Sequence, residues 1–258
     1  MEPLVLYRVE DRIAEITINR PEKRNALNPG LVTELTAAFL AAQSDADVKV
    51  VVLKANGDVF SAGADLAYMQ QLQNFSYDEN IQDSTVLKNL FETIRTLSKV
   101  VIAQVEGHAI AGGCGLATIC DFVFAVPEAK FGYTEVKLGF VPAIVSCYLI
   151  QKVGETLSKK LLLSGDLFTA EEALKYNLIT TVTKAEEINR IVREFALNLT
   201  TNTSGHSLAL TKQLINQTTD TWLDSCLNNA IKVNAKTRES EDFKRGISSF
   251  LEKQKIKW

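Results

Sequence analysis

Two glycine-bearing segments are where this chain can do chemistry. The first runs Phe60-Ser61-Ala62-Gly63-Ala64-Asp65-Leu66, and the second Gly107-His108-Ala109-Ile110-Ala111-Gly112-Gly113-Cys114-Gly115-Leu116. Each follows an apolar run, so each sits where a strand ends and a helix can begin. Small residues let a ligand come close to the backbone. A helix N-terminus leaves N–H groups without partners and carries a partial positive charge. Two such ends side by side can aim two N–H donors at one oxygen, forming an oxyanion hole. The same glycines also suit tight helix–strand packing, and spacing alone does not choose between the two. Neither segment is a G-x-G-x-x-G or Walker A loop, so a nucleotide phosphate is not indicated.

Positioning these segments falls to alternating strands and helices. Residues 4–8 and 13–19 alternate with period two around a charged turn, Glu10-Asp11-Arg12, and Arg20-Pro21-Glu22 ends the second run. Leu31, Leu35, Ala38, Phe39 and Ala42 recur at helical spacing over 31–43, as do Leu87, Leu90, Phe91 and Ile94 over 84–97. Residues 48–54, 100–105 and 122–126 are apolar strands. This order predicts parallel pairing with crossover helices. After a strand at 179–182 the signals are helical, at 185–199, 206–217, 220–236 and 240–253. The stretch 200–205, rich in Thr, Ser and Asn, predicts a boundary. The expected organisation is an α/β core over 1–199 and a helical region over 200–258, with no repeat or low-complexity segment in evidence. The helical region carries Leu208, Leu210, Leu214, Ile215, Trp222, Leu227, Ile231, Val233, Phe243, Ile247, Phe250 and Leu251. That much apolar surface must pack on a core of its own or on a neighbouring subunit.

Composition removes several function classes. A chain of 258 residues, 46% hydrophobic, can bury a sizeable core and is not disordered, collagen-like or disulfide-stapled. With 28 basic and 31 acidic residues the net charge is −3, which supplies no nucleic-acid footprint. Cys114, Cys120, Cys147 and Cys226 form no C-x-x-C pair, and His108 and His206 are the only histidines, which argues against a zinc site. No signal peptide and no run of about 18 apolar residues is visible. The sequons at Asn198, Asn202 and Asn216 then read as chance matches. The expectation is a cytoplasmic protein with reduced cysteines.

Several motifs, in order, carry a resemblance. FSAGADL, AGGCGL, CDFVFA and FGYTEVKLGFVPA resemble the crotonase family of enoyl-CoA hydratases and isomerases, and RPEKRNALN at 20–28 and SGDLFTAEEALKYNLI at 164–179 extend the match over essentially the whole chain. The resemblance implies an α/β fold, a spiral of ββα units with a C-terminal helical trimerisation region, assembled as a homotrimer or hexamer. It implies an acyl-CoA thioester as substrate, with no separate cofactor and no metal, membrane or nucleic-acid partner.

Carried over by motif, the oxyanion donors are the backbone N–H groups of Ala64 and Gly112. Ala62 and Leu66 fall where the family binds adenine through the backbone. Lys23 and Arg24 lie in the loop that meets CoA phosphates, although an exposed cation is as readily solvated. Phe250 and Lys253, in SSFLEK, resemble the C-terminal pair that touches CoA, often from a neighbouring subunit; both also fit a plain helix face. Tyr68, Gly115, Tyr133 and Pro142 are expected in the acyl pocket; the two tyrosines could donate hydrogen bonds to substrate, although a buried Tyr usually has a structural partner. Asp65 and Asp121 occupy positions that look structural, and the segment 75–80, with Asp78 and nearby Asp83, is expected as a mobile pocket wall. His108, Cys114 and Cys120 read as turn and packing residues.

Family hydratases use two glutamates. The second is present as Glu135, while Gly115 stands in place of the first. An apolar pocket would raise the Glu135 pKa and suit acid–base exchange near neutral pH. The finer motif set, with Pro142-Ala143-Ile144-Val145-Ser146, resembles bacterial methylglutaconyl-CoA hydratases of leucine breakdown. That resemblance implies syn hydration of a branched or carboxylated 2-enoyl-CoA with Glu135 as acid/base. A Δ3-Δ2 enoyl-CoA isomerase using Glu135 alone, and a non-catalytic acyl-CoA-binding protein, are the alternatives.

Overall fold

The structure, a computed structural model, describes residues 2–252 and 254–258. The chain opens with an antiparallel hairpin, β1 (Val5–Glu10) and β2 (Ile13–Ile18), turned by Asp11 and Arg12 at positive φ. Helix α1 (Pro29–Ser44) follows, capped by the Asn28 side chain, which accepts from the Leu31 N–H. The chain then repeats one move. It lays β3 (Val50–Ala55) in one sheet, β4 (Val59–Ser61) in another, and returns through α2 (Leu66–Leu72) and α3 (Tyr77–Thr96). It does so again with β5 (Val100–Val105), β6 (His108–Ile110) and α4 (Gly112–Thr118). A third round uses β7 (Phe122–Ala125), β8 (Lys130–Gly132), a 3-10 turn at Glu135–Leu138 and α5 (Ala143–Ser164). The spiral closes with β9 (Phe168–Thr169), α6 (Ala170–Lys175) and β10 (Thr181–Val182).

The result is a six-stranded sheet, β1-β2-β3-β5-β7-β10, and a four-stranded sheet, β4-β6-β8-β9. From β2 onward the larger sheet is parallel. Strand β5 is buried along its whole length and reads VVIAQV, as a strand covered on both faces must. The expected ββα spiral is therefore present. The sequence shows no repeat because successive units share a path and no residue pattern.

Helix α3 starts earlier than its apolar spacing implies. Ser76 and Glu79 form a reciprocal capping box, so most of the expected mobile wall is the first turn of this helix. Helix α5 was not legible, since its first two turns, AIVSCYLI, are apolar on nearly every side and a glycine interrupts the polar half that follows. It is bent at Gly154, where φ is +76°.

Helix α7 (Ala185–Asn202) runs through the expected boundary and lays Ile188, Val192, Ala196 and Leu199 on the larger sheet. Then come α8 (Gly205–Gln217), α9 (Asp220–Arg238) and α10 (Glu241–Leu251). Helix α9 packs on α3 and α5; α10 packs on α2 and the Glu135 turn. Leu227, Ile231, Phe243 and Ile247 are buried within this chain, whereas Leu210, Leu214, Ile215 and Trp222 stay exposed.

One expectation is corrected. Cys147 on α5 and Cys226 on α9 are paired as a disulfide, their Cα atoms 6.0 Å apart. They stand 79 residues apart in sequence, so only the packing of α9 on α5 reveals the pair. Cys114 and Cys120 are free and buried, as expected. No helix among the described residues is long and apolar enough to cross a membrane.

Candidate active site

The two glycine-bearing segments meet. Residue 64 pairs with Leu27 in a parallel bridge: the Leu27 N–H donates to the Gly63 carbonyl and the Asp65 N–H to the Leu27 carbonyl. Such a bridge uses the groups flanking Ala64, so the Ala64 N–H points the other way. Gly63, at φ +85°, sits so close to the second segment that a Cβ there would lie 2.9 Å from Ala111 Cβ and 3.5 Å from Gly112 N. Gly112 opens α4, where an N–H has no intrahelical acceptor. Among the described residues neither the Ala64 nor the Gly112 N–H meets an acceptor. Ala111 holds the turn at φ 52°, ψ −126°, a strained conformation for a residue with a Cβ. Its N–H is anchored on the Gly132 carbonyl at 2.7 Å.

Side chains outside the motifs lock this frame. Arg20 bonds Asp65 at 2.6 Å, both nearly buried, while Asp65 also caps α2 through the Tyr68 N–H. The Asn25 amide donates to the carbonyls of Asn56 and Val59. At the far end of α4, Lys152 donates to the Thr118 carbonyl at 2.5 Å and closes the helix C-terminus. Burial holds its ammonium below the usual lysine pKa. Sequence reasoning missed Arg20, Asn25 and Lys152. The first two lie inside RPEKRN and were open to suspicion on that ground; Lys152 gives no local signal.

Glu135 follows three residues after Gly132, whose carbonyl holds Ala111, so the anchored strand pair carries the carboxylate to the Gly112 end of the site. Glu135 is buried and its Oε2 has no hydrogen-bond partner among the described residues. Burial pushes its pKa up to about 7, against a smaller opposing pull from a backbone N–H.

Gly115 is sealed. A Cβ there would stand 2.3 Å from Val145 Cγ1 and 3.0 Å from Phe91 Cε1. The space a first glutamate would need is occupied by hydrocarbon from α5 and α3. Pro142 is buried at the N-cap of α5. Tyr133 departs from its expected place: it is 1% exposed, with its hydroxyl 3.0 Å from Thr118 Oγ1, so it belongs to the core beneath α4. Its polar end found a partner inward. Tyr68 is half-buried on α2 and donates its hydroxyl proton to Asp83 Oδ1 at 2.5 Å.

The described residues expected at CoA fall into two groups. Lys23 and Arg24 are exposed, and the Arg24 carbonyl accepts from the Ala62 N–H at 3.0 Å, which sets their loop beside Ala62. Leu66 and Phe250 line one open cleft of about 470 Å3 with Leu251 and Gln254, and here Phe250 comes from the same chain. Lys253 lies outside the described residues.

Comparison with known proteins agrees with this geometry. The sequence profile of the family described as enoyl-CoA hydratase/isomerase matches residues 8–258. A Thermus thermophilus protein, provisionally named an enoyl-CoA hydratase, is 41% identical over 94% of this chain and 95% of its own length. An Escherichia coli protein named 2,3-dehydroadipyl-CoA hydratase is 33% identical over 98% of this chain and 97% of its own. A crystal structure of an enoyl-CoA hydratase/isomerase from Xanthobacter autotrophicus superposes with a TM-score of 0.89 at 27% identity, covering 96% and 93% of the two chains. Fold, paired backbone donors, buried carboxylate and sequence similarity converge: the chain belongs to the enoyl-CoA hydratase/isomerase family.

Proposed function

We propose that this enzyme hydrates a 2-enoyl-CoA, with Ala64 and Gly112 N–H groups holding the thioester oxygen and Glu135 moving the proton. The observation that carries the reading is the buried Glu135 carboxylate, one oxygen unpartnered among the described residues and its pKa pushed up to about 7, in the 3-10 turn that follows the strand anchoring Ala111. A base of that pKa can take and return a proton at neutral pH. Water adds its oxygen to C3, the C2=C3 electron pair moves onto the thioester oxygen, and Glu135 takes one water proton. Glu135 then delivers that proton to C2 on the same face, which is syn addition.

The acyl group in this reading is branched or carboxylated, of the 3-methylglutaconyl kind. Support comes from the apolar packing at Gly115, which reshapes the pocket, and from the E. coli relative, whose named substrate carries a free carboxylate besides its thioester. Lys23, Arg24, Ala62, Leu66, Phe250 and Lys253 bind the CoA portion, and residues 200–258 form an assembly region that also reaches the site of the 1–199 core through Phe250. Exposed Leu210, Leu214, Ile215 and Trp222 support a trimer or hexamer.

The test is hydration of crotonyl-CoA and 3-methylglutaconyl-CoA by wild type and Glu135→Gln. Turnover of neither substrate, or an unimpaired variant, overturns the reading. The sealed wall at Gly115 favours one alternative, a Δ3-Δ2 isomerase, because C2-to-C4 proton transfer needs one base and no water. Double-bond migration in a 3-enoyl-CoA without added oxygen would establish it.

A further inference from the structure

Hydration with one carboxylate leaves a specific gap. The proton that Glu135 takes from water returns to C2, so one base is enough for proton transfer. The other O–H of the water is never broken; it becomes the hydroxyl of the product. In a two-glutamate site a second carboxylate is there to hold it. Here Val145 and Phe91 fill that place, and hydrocarbon accepts no hydrogen bond. What is missing is an acceptor alone, and a neutral phenol oxygen can be one.

Three tyrosines compete for the role. Tyr133 is 1% exposed and faces Thr118. Tyr148 is 9% exposed, stacked on Phe91 and donating to Glu92. Tyr68 is half-buried and lies on the first turn of α2, four residues after Ala64. Its proton is already committed. Asp83 is held as an acceptor by Arg238, whose Nη1 lies 2.7 Å from Asp83 Oδ2. Arg238 is 4% exposed and fixed by Asn80 Oδ1 at 3.0 Å. Its guanidinium lies over the Phe140 ring, and the Phe140 N–H bonds the Glu135 carbonyl at 3.1 Å. The chain of contacts thus runs from the Tyr68 hydroxyl to the Glu135 turn. With its proton turned toward Asp83, the Tyr68 oxygen presents lone pairs alone.

We propose that Tyr68 accepts a hydrogen bond from the attacking water, in the role left open by Gly115, with Asp83 and Arg238 as positioning residues that keep its proton turned away. The proposal rests on the hydratase reading above. Tyr68 keeps its own proton throughout; the water oxygen bonds C3, one water proton passes by Glu135 to C2, and the other stays on the new hydroxyl.

The experiment separates water handling from proton handling. Hydration of crotonyl-CoA needs both; exchange of the C2 hydrogens of butyryl-CoA in D2O needs only Glu135 and the oxyanion donors. Tyr68→Phe keeps the ring and removes the acceptor. It is expected to lower kcat for hydration about 30-fold while leaving KM and C2 exchange within about threefold. Glu135→Gln loses both reactions. Arg238→Lys, which keeps a cation beside Asp83, retains most hydration; Arg238→Met does not, and adding Tyr68→Phe to it costs nothing further. Hydration by Tyr68→Phe within about threefold of wild type overturns the proposal and leaves the hydratase reading standing. Equal loss of hydration and exchange overturns it too, as structural damage. Exchange without hydration in the wild type removes the hydratase reading and this proposal with it.

Discussion

The Glu135 turn and the Gly115 stretch of α4 sit in one site and are built in opposite ways. At Glu135 a carboxylate is buried with one oxygen unpartnered among the described residues, an arrangement that costs folding energy and is kept. At Gly115 the side chain is deleted and the space is closed by Val145 and Phe91. The difference teaches how the site divides its work. A desolvated acid is retained at one position, where the proposed reaction moves a proton, and the second polar position is replaced by close packing.

Removing the acid should have the largest effect. Glu135→Gln is expected to lower kcat about 10³-fold with modest change in KM, read in a hydration assay. In the wild type kcat/KM for hydration should rise with pH and level off above about 7, because the base must be ionised.

The same substitution should alter stability in the opposite sense. Burial raises the folded-state pKa of Glu135, so its neutral form is the stable one in the fold. Its contribution is intact below about pH 4.5 and is lost as pH rises through about 7. Glu135→Gln should therefore be more stable than wild type above pH 7, by up to about 3 kcal/mol, and the gain should vanish near pH 4 in denaturant melts. A pH-independent difference would remove the claim of a strained acid.

Gly63→Ala tests the frame that both places share. At φ +85° and 2.9 Å from Ala111, the new Cβ must push the two donor segments apart. A kcat loss of about 10²-fold is expected, comparable to losing one oxyanion donor.

The smallest effect belongs to the sealed wall. Gly115→Ala drives a Cβ against Val145 and should cost about 2 kcal/mol in stability. Val145→Ala in the same chain should recover much of that loss, a coupling visible in a double-mutant cycle. If Gly115→Ala is neutral alone, the packing description of this wall is wrong.

Much of the frame was legible. Strand β5 was readable because a strand buried on both faces must be apolar throughout, and the two glycine-bearing segments were readable because close approach excludes side chains. Tyr133 was misplaced because its identity suits a pocket and a core equally well; the Thr118 hydroxyl beneath α4 decided it. Arg20 and Asp65 were each visible, yet their pairing 45 residues apart was not. Arg238 lies 158 residues from Asn80 and was invisible as a partner of the site.

The sequence by itself determined what depends on neighbours along the chain. It set strand and helix periodicity, the small residues at the strand–helix junctions, the presence of Glu135 and the absence of its counterpart at 115. Tertiary structure decided what depends on groups brought together from afar. It sealed Gly115 with Val145 and Phe91, left one Glu135 oxygen without a partner among the described residues, turned the Tyr68 proton toward Asp83 and joined Cys147 to Cys226. Periodicity and backbone freedom act over a few residues; desolvation, packing and charge pairing act through space, and only the fold defines that space.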